Sequence, residues 1–183
     1  ISKTLQIIPP WKKIKNKSIT NVIINPGAGF GTGTHPTTKL CLNWIEENNI
    51  NNKSLIDYGS GSGILAIVAK LNGANKVVGA DIDKKAINNA FQNCTLNNIK
   101  IPFIDLNKAS IHKKFDIIIA NILSSTLIQL STIFKTLAKE KIILSGILDK
   151  QVPDVINAYS DWIILKQKKN SEGWNLLEGE IIA

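Results

Sequence analysis

The 183-residue sequence has no arginine, no methionine, two cysteines and two histidines. Cys41 and Cys94 stand far apart without a C-x-x-C pair, which excludes a disulfide scaffold and a thiolate metal site and reads as two reduced, half-buried thiols. His35 and His112 have no cluster of acids or cysteines beside them, so no metal site is expected. No apolar run approaches the roughly 18 residues of a membrane-spanning helix, and the opening Ile1-Ser2-Lys3-Thr4 carries no secretory leader pattern. A cytoplasmic location is the expectation. The missing arginine bears on the formal charge of +8, which lysine alone carries. Nucleic-acid sites favour the arginine fork for phosphate and guanine. The abundance of Ile, Asn and Lys reads as a coding bias, so no direct nucleic-acid recognition is expected. The missing methionine, with Ile1 first, reads as a fragment or a processed chain.

Apolar residues at 44% and charged residues at 20% fit one soluble globular domain. Residues 1–25 read as a linker with short strands at Leu5–Ile8 and Val22–Ile24, around Pro9-Pro10 and the basic stretch from Lys12 to Lys17. Residues 26–183 read as the main domain. A glycine-rich loop, Pro26 to Thr34, leads into a helix over Thr37–Glu47 with Pro36 in its first turn. Strands are predicted at Leu55–Asp57, Val77–Asp81, Ile101–Ile104, Phe115–Ala120, Lys141–Leu144, Trp162–Lys166 and Asn175–Ile182. Helices are predicted between them at Ile64–Leu71, Lys84–Leu96, Ser125–Leu137 and Lys150–Tyr159. This alternation specifies an α/β fold, a doubly wound, Rossmann-like, seven-stranded and mostly parallel sheet. The last two strands have no helix between them and form a terminal antiparallel hairpin.

The strongest motif is Asp57-Tyr58-Gly59-Ser60-Gly61-Ser62-Gly63, directly after the first long strand. Glycine lets backbone turn tightly and approach a ligand, and open α/β sheets bind ligands at this carboxyl edge. Asp81 ends the next strand and can accept both hydroxyls of a ribose. The dinucleotide pattern G-x-G-x-x-G fails at Ile64, and no G-K-[S/T] follows a glycine cluster. A nucleoside without phosphate fits best, and S-adenosylmethionine is one. The helix start at Thr34-His35-Pro36-Thr37-Thr38 suits the cofactor's carboxylate, with Thr34 as the expected helix cap and His35 in the loop's own hydrogen bonding. Asn121, at the carboxyl end of the fourth strand, occupies the place of the Asn or Asp that amine and amide methyltransferases follow with Pro-Pro-aromatic. Ile122-Leu123-Ser124 replaces that stacking frame, which disfavours a planar target and favours a flexible aliphatic amine.

From Leu5 to Trp174 the chain resembles the ribosomal protein L11 methyltransferases. The resemblance rests on Asn25 to Thr38, Asp57 to Leu65, Gly79-Ala80-Asp81-Ile82-Asp83, Ala120-Asn121-Ile122-Leu123 and Leu144-Ser145-Gly146-Ile147-Leu148. It implies cofactor contacts from Thr38, Gly59, Asp81 and Asn121, to which the glycine motif adds Asp57 and Gly61. It also implies transfer of methyl groups to lysine or N-terminal amines of a large-subunit ribosomal protein, free or ribosome-bound, with Asn121 as the catalytic side chain. Ser60 stands where the family often has Cys, and the family's separate N-terminal recognition domain is missing. The residues leave open a methyltransferase for another protein or small amine, and a cofactor-binding module without turnover.

Overall fold

The structure, a computed structural model, describes residues 4–12, 18–25 and 33–181. Strands β1 (Leu5–Ile8) and β2 (Thr20–Ile23) come first and pair in parallel as a separate two-stranded sheet. Leu5, Ile8, Val22 and Ile24 are buried. The chain continues through α1 (Pro36–Glu47), β3 (Ser54–Tyr58), α2 (Ile64–Leu71), β4 (Lys76–Asp81), α3 (Lys84–Leu96) and β5 (Phe103–Asp105). Then come β6 (Phe115–Asn121), α4 (Ser124–Gln129), α5 (Ser131–Leu137), β7 (Ala138–Leu148), α6 (Val152–Tyr159), β8 (Ile164–Ser171) and β9 (Trp174–Glu180).

The main sheet runs β5-β4-β3-β6-β7-β9-β8. Its first five strands are parallel, and β9 lies antiparallel between β7 and β8. The predicted mostly parallel sheet with its terminal hairpin is what forms. Side chains alternate across β3 and β6. Leu55, Ile117 and Ile119 join the core under α1 and α2, whereas Ile56, Ile118 and Ala120 join the core shared with Leu127, Phe134 and Val155 of α4, α5 and α6. With both faces of β3 and β6 covered, these strands reach solvent at their ends, and the carboxyl ends of β3, β4 and β6 gather at one edge.

Several predicted boundaries move, for physical reasons. The helix expected over Ser125–Leu137 is two helices that meet at Leu130. The Tyr159 hydroxyl donates to the Leu127 carbonyl at 2.7 Å, and the Ser131 hydroxyl donates to the Ala158 carbonyl at 2.7 Å. These two bonds, one donated by α6 and one accepted by it, tie both sides of the break to α6 and hold it. The helix expected from Lys150 starts at Val152, after a single 3-10 turn, with Pro153 in the first turn, where its missing N–H costs nothing. β5 begins after Pro102, which has no N–H for a ladder. β7 has eleven residues rather than four, extending back to Ala138.

The amino end of the sheet is tied by Asp116. Its carboxylate accepts from the Ser54 N–H at 2.8 Å, the Ser54 hydroxyl at 2.7 Å and the Lys139 ammonium at 2.8 Å. Burial alone would raise its pKa, but the Lys139 and Ser54 hydrogen bonds outweigh it and bring the carboxyl down to about 2. A depressed acid stabilises the fold above the pKa of the unfolded chain, near 3.9, and loses that contribution as pH falls toward 2. Asp116→Asn should therefore unfold at a lower temperature than wild type at pH 7, by roughly 2–4 °C for a loss on the order of 1 kcal/mol. The gap should close between pH 4 and pH 2. A gap that persists at pH 2 in thermal unfolding followed by circular dichroism would refute the ionic account.

Candidate active site

Order reverses in the sheet between β3 and β6, and a crevice opens beyond their carboxyl ends at such a point. The Asp57–Gly63 segment lies on its β3 side. The Gly59 and Ser60 N–H groups donate to the Ala80 carbonyl at 2.8 and 3.0 Å, which ties the turn to β4. Gly59, Gly61 and Gly63 all have positive φ, at 78°, 52° and 77°. The turn demands glycine at these positions, and Gly63 leads straight into α2.

Asp57 is 1% exposed. Its Oδ2 accepts from the Ala66 N–H at 3.1 Å, satisfying one of the free donors in the first turn of α2. Its Oδ1 is buried with no hydrogen-bond partner among the described residues, and so is Ser60 Oγ. Burial pushes the Asp57 carboxyl up to about 7, against the lowering effect of the Ala66 N–H and with a further rise from the Asp81 charge. Asp81 is held differently. Its Oδ2 accepts from the Gly61 N–H at 2.8 Å and its Oδ1 from the Asp83 N–H at 2.9 Å. Both oxygens are thereby aimed along the edge, and each keeps a lone pair for a further donor. Ile82 next to it is exposed, an apolar ledge beside the acid. Its carbonyl accepts from the Asn107 side chain at 2.6 Å.

On the β6 side, Asn121 is half-buried and pairs in register with Ser145. Its Nδ2 donates a long 3.4 Å hydrogen bond to Thr38 Oγ1, which leaves its Oδ1 as the atom free to accept in the crevice. Thr38 is buried in the first turn of α1. The cap of that helix is His35 rather than Thr34. His35 Nδ1 accepts from the Thr37 N–H at 3.3 Å and lies 2.8 Å from Thr37 Oγ1, while the ring stands edge-on to Trp174 with centroids 5.0 Å apart. A histidine ring nitrogen reaches the second N–H of the helix as a capping carboxylate would, so the extended His35 backbone before Pro36 made it the better cap. Residues 26–32 of the glycine-rich loop lie outside the described residues.

Thr38, Asp57, Gly59, Gly61, Asp81 and Asn121 thus stand along one sheet edge. Sequence reading missed three further features there. Asn93, fully buried in α3, accepts from the Asn25 N–H at 2.8 Å and donates to the Ser62 carbonyl at 2.9 Å. Asn97, one turn later, accepts from the Ile23 N–H at 2.8 Å and donates to its carbonyl at 2.7 Å. The i, i+4 spacing of two poor helix formers was the available signal. Gly146 is the second feature, a positive-φ residue in a β7 bulge beside Ile122. Cys41 is the third. Burial, and then the Asp57 charge, push its thiol far up, so it is an inert part of the site's floor.

The family model described as ribosomal protein L11 methyltransferase (PrmA) matches residues 1–181. Curated proteins of that name from Neisseria meningitidis serogroup B and Shewanella frigidimarina are each 40% identical, over 181 and 179 residues, with 98% and 96% of this chain aligned. The chain spans 61% of the length of each. A crystal structure of ribosomal protein L11 methylase from Lactobacillus delbrueckii subsp. bulgaricus superposes with a TM-score of 0.90 at 30% identity, covering 100% of this chain and 96% of that one. The magnesium protoporphyrin IX methyltransferase of Synechocystis, solved with bound SAM, shares the fold with a TM-score of 0.63 at 18% identity, covering 79% of this chain and 77% of that one.

Proposed function

The chain belongs to the ribosomal protein L11 methyltransferase family, and on that basis we propose that it binds S-adenosylmethionine and transfers methyl groups to amines of ribosomal protein L11. We read residues 26–183 as the catalytic domain and 1–25 as its leading segment. A ribosomal substrate sets the work in the cytoplasm, with the protein met free or on the ribosome. Among the described residues no helix is long and apolar enough to cross a membrane.

The observation that carries this reading is the unpartnered, buried Asp57 Oδ1 within the same turn as Ser60 Oγ. A buried acceptor left unsatisfied is costly unless a ligand completes it. The ammonium of the cofactor's methionine end is a donor of the right charge for Asp57. Asp81 suits the ribose hydroxyls, and the exposed Ile82 beside it suits the apolar face of the adenine. The start of α1 at Thr37 and Thr38 suits the carboxylate. Gly61 keeps the turn thin enough for close approach, and the positive φ of Gly59 sets the path of the turn.

When bound, S-adenosylmethionine supplies a methyl group on a sulfonium; as an amine lone pair forms the new C–N bond, the C–S bond breaks and its electrons remain on a neutral thioether. The chain's part is to place the amine, whose proton passes to solvent before it docks. A lysine ammonium, with an ordinary pKa near 10.4, must lose a proton before it can attack. Thr38 holds the Asn121 amide so that Oδ1 faces the crevice, where it accepts one N–H of the neutral amine and aims its lone pair. After Asn121, Ile122-Leu123-Ser124 stands in place of a Pro-Pro-aromatic frame that would close over a flat group, which fits an aliphatic amine.

Calorimetric titration tests the cofactor site. S-adenosylmethionine should bind this chain and NAD should not. Asp81→Ala should weaken binding by about a hundredfold, from loss of two charge-assisted hydrogen bonds to ribose. Equal affinity in Asp81→Ala would sink the assignment of the ribose to Asp81. Absence of binding to the wild-type chain would sink the cofactor reading itself.

A further inference from the structure

We infer that Ile122 is a positioning residue, a wedge between the cofactor turn and the β7 bulge that fixes where Asn121 sits. The inference rests on the methyltransferase reading above and extends it to a side chain without reactive chemistry. A Cβ placed on Gly59 would lie 2.3 Å from Ile122 Cγ2. A Cβ placed on Gly146 would lie 2.2 Å from the Ile122 carbonyl oxygen, 2.9 Å from its carbon and 3.2 Å from its nitrogen. The Ile122 side chain therefore occupies the space over Gly59, and its backbone occupies the space over Gly146. Both glycines serve this close approach as well as their positive φ.

The backbone on either side of Ile122 is anchored, Asn121 in the ladder opposite Ser145 and Leu123 through its carbonyl, which accepts from the Thr126 and Leu127 N–H groups at 3.0 Å. The neighbouring side chains add little, Asn121 making a long hydrogen bond to Thr38 and Leu123 being 71% exposed. A β-branched side chain is stiff at χ1, so a wedged isoleucine transmits position where a longer, flexible side chain would yield. The cofactor turn and the acceptor end of β6 consequently keep a fixed separation, as in-line transfer between two bound groups demands. The Asn-Ile-Leu and Ser-Gly-Ile-Leu segments are two halves of one joint.

The test is a double-mutant cycle read by calorimetry with S-adenosylhomocysteine and, in parallel, by thermal unfolding without ligand. Ile122→Ala alone should change affinity less than about threefold, because the turn keeps its own bonds to β4, whereas Gly59→Ala should weaken it by about thirtyfold. Adding Ile122→Ala to Gly59→Ala should recover about tenfold, because the clashing methyl group is gone. Gly63→Ala is the control. It has the same backbone strain in the same turn, but its Cβ would meet Ala90 and Phe103 rather than Ile122, so Ile122→Ala should recover nothing. In melting temperature, Gly59→Ala with Ile122→Ala should cost less than the sum of the two, and Gly63→Ala with Ile122→Ala should cost the full sum. Equal recovery for both glycines, or none for Gly59→Ala, overturns the wedge. A wild-type chain that fails to bind S-adenosylhomocysteine refutes the cofactor reading instead, and the melting temperatures then decide the wedge alone. In turnover on ribosomal protein L11, Ile122→Ala should lower kcat about tenfold with little change in cofactor KM, and Ile122→Val, which keeps the branch, should restore most of it. An unchanged kcat overturns the role.

Discussion

Replacing Asp57 with asparagine is expected to raise the melting temperature at pH 8 and, in the same protein, to weaken cofactor binding. The carboxyl sits at about 7 in the folded chain because burial disfavours its charged form, whereas the unfolded chain ionises it near 3.9. Between these values the folded state holds the proton that the unfolded state has released. Stability therefore falls as pH rises through this window and stays reduced above 7. Asparagine keeps the acceptor for the Ala66 N–H and removes the ionisation. The gain at pH 8 should be on the order of a few kcal/mol at most, several degrees in melting temperature. It should change little from pH 8 to 7 and shrink as pH falls from 7 toward 4, and a gap that does not narrow there would refute the burial account. Cofactor affinity should move the other way. If Asp57 pairs with the cofactor's ammonium as proposed, wild-type affinity should fall as pH drops below 7, and Asp57→Asn should bind about tenfold or more weakly above pH 7 with little pH dependence. On the role proposed for Asp57, the site keeps a destabilising group that its ligand completes, the usual trade between stability and function.

Gly146→Ala should be among the most damaging substitutions of a single methyl group in the protein. Its φ is +87°, and the new Cβ would meet three backbone atoms of Ile122, none of which can swing aside as a side-chain tip would. The cost should be roughly 3 kcal/mol or more, lowering the melting temperature by about 6–12 °C. Gly173→Ala is the matched comparison. Its φ is +77°, but its Cβ would find only Asp149 Oδ2 at an ordinary 3.6 Å. Only the left-handed backbone cost of about 1–2 kcal/mol remains there. Equal losses at the two positions, measured by urea unfolding, would show that conformation alone matters at Gly146 and that the approach of Ile122 does not.

Much of the architecture was legible because this sequence writes its elements in short apolar runs. Ile56, Val77-Val78 and Ile117-Ile118-Ile119 could only be buried strands, and Lys84–Leu96 came out as a helix at both ends. The gathering of Asp57, Gly59, Gly61, Asp81, Thr38 and Asn121 followed from chain order alone, since each lies at a strand's carboxyl end, in the turn that follows it or at a helix start on that edge. What stayed hidden depends on partners distant in sequence. The break at Leu130 is held by α6, which no local pattern around Ser125–Leu137 announces. The eleven residues of β7 include Lys139 and Glu140, whose polar side chains left them outside the predicted strand but pair with Asp116 and Lys53 across the sheet. His35 as a cap, Asn93 as a bracket and Ile122 as a wedge depend on approach distances, which spacing does not encode.

The sheet order has a consequence for how the molecule could be divided. β3, β4 and β5 come from one continuous stretch of chain and β6 to β9 from the next; in the sheet the two stretches join along the seam between β3 and β6, and α1 packs across it, its Trp44 indole donating to Glu178 of β9 at 2.7 Å. The exposed connection over residues 107–110 joins them. A chain opened between Ala109 and Ser110 would yield two fragments, one carrying Asp57 and Asp81, the other Asn121 and Gly146. Neither fragment holds a whole site. Any molecule that spans the seam would bind only the reassembled pair, so ligand and fragment association would strengthen each other by the same factor.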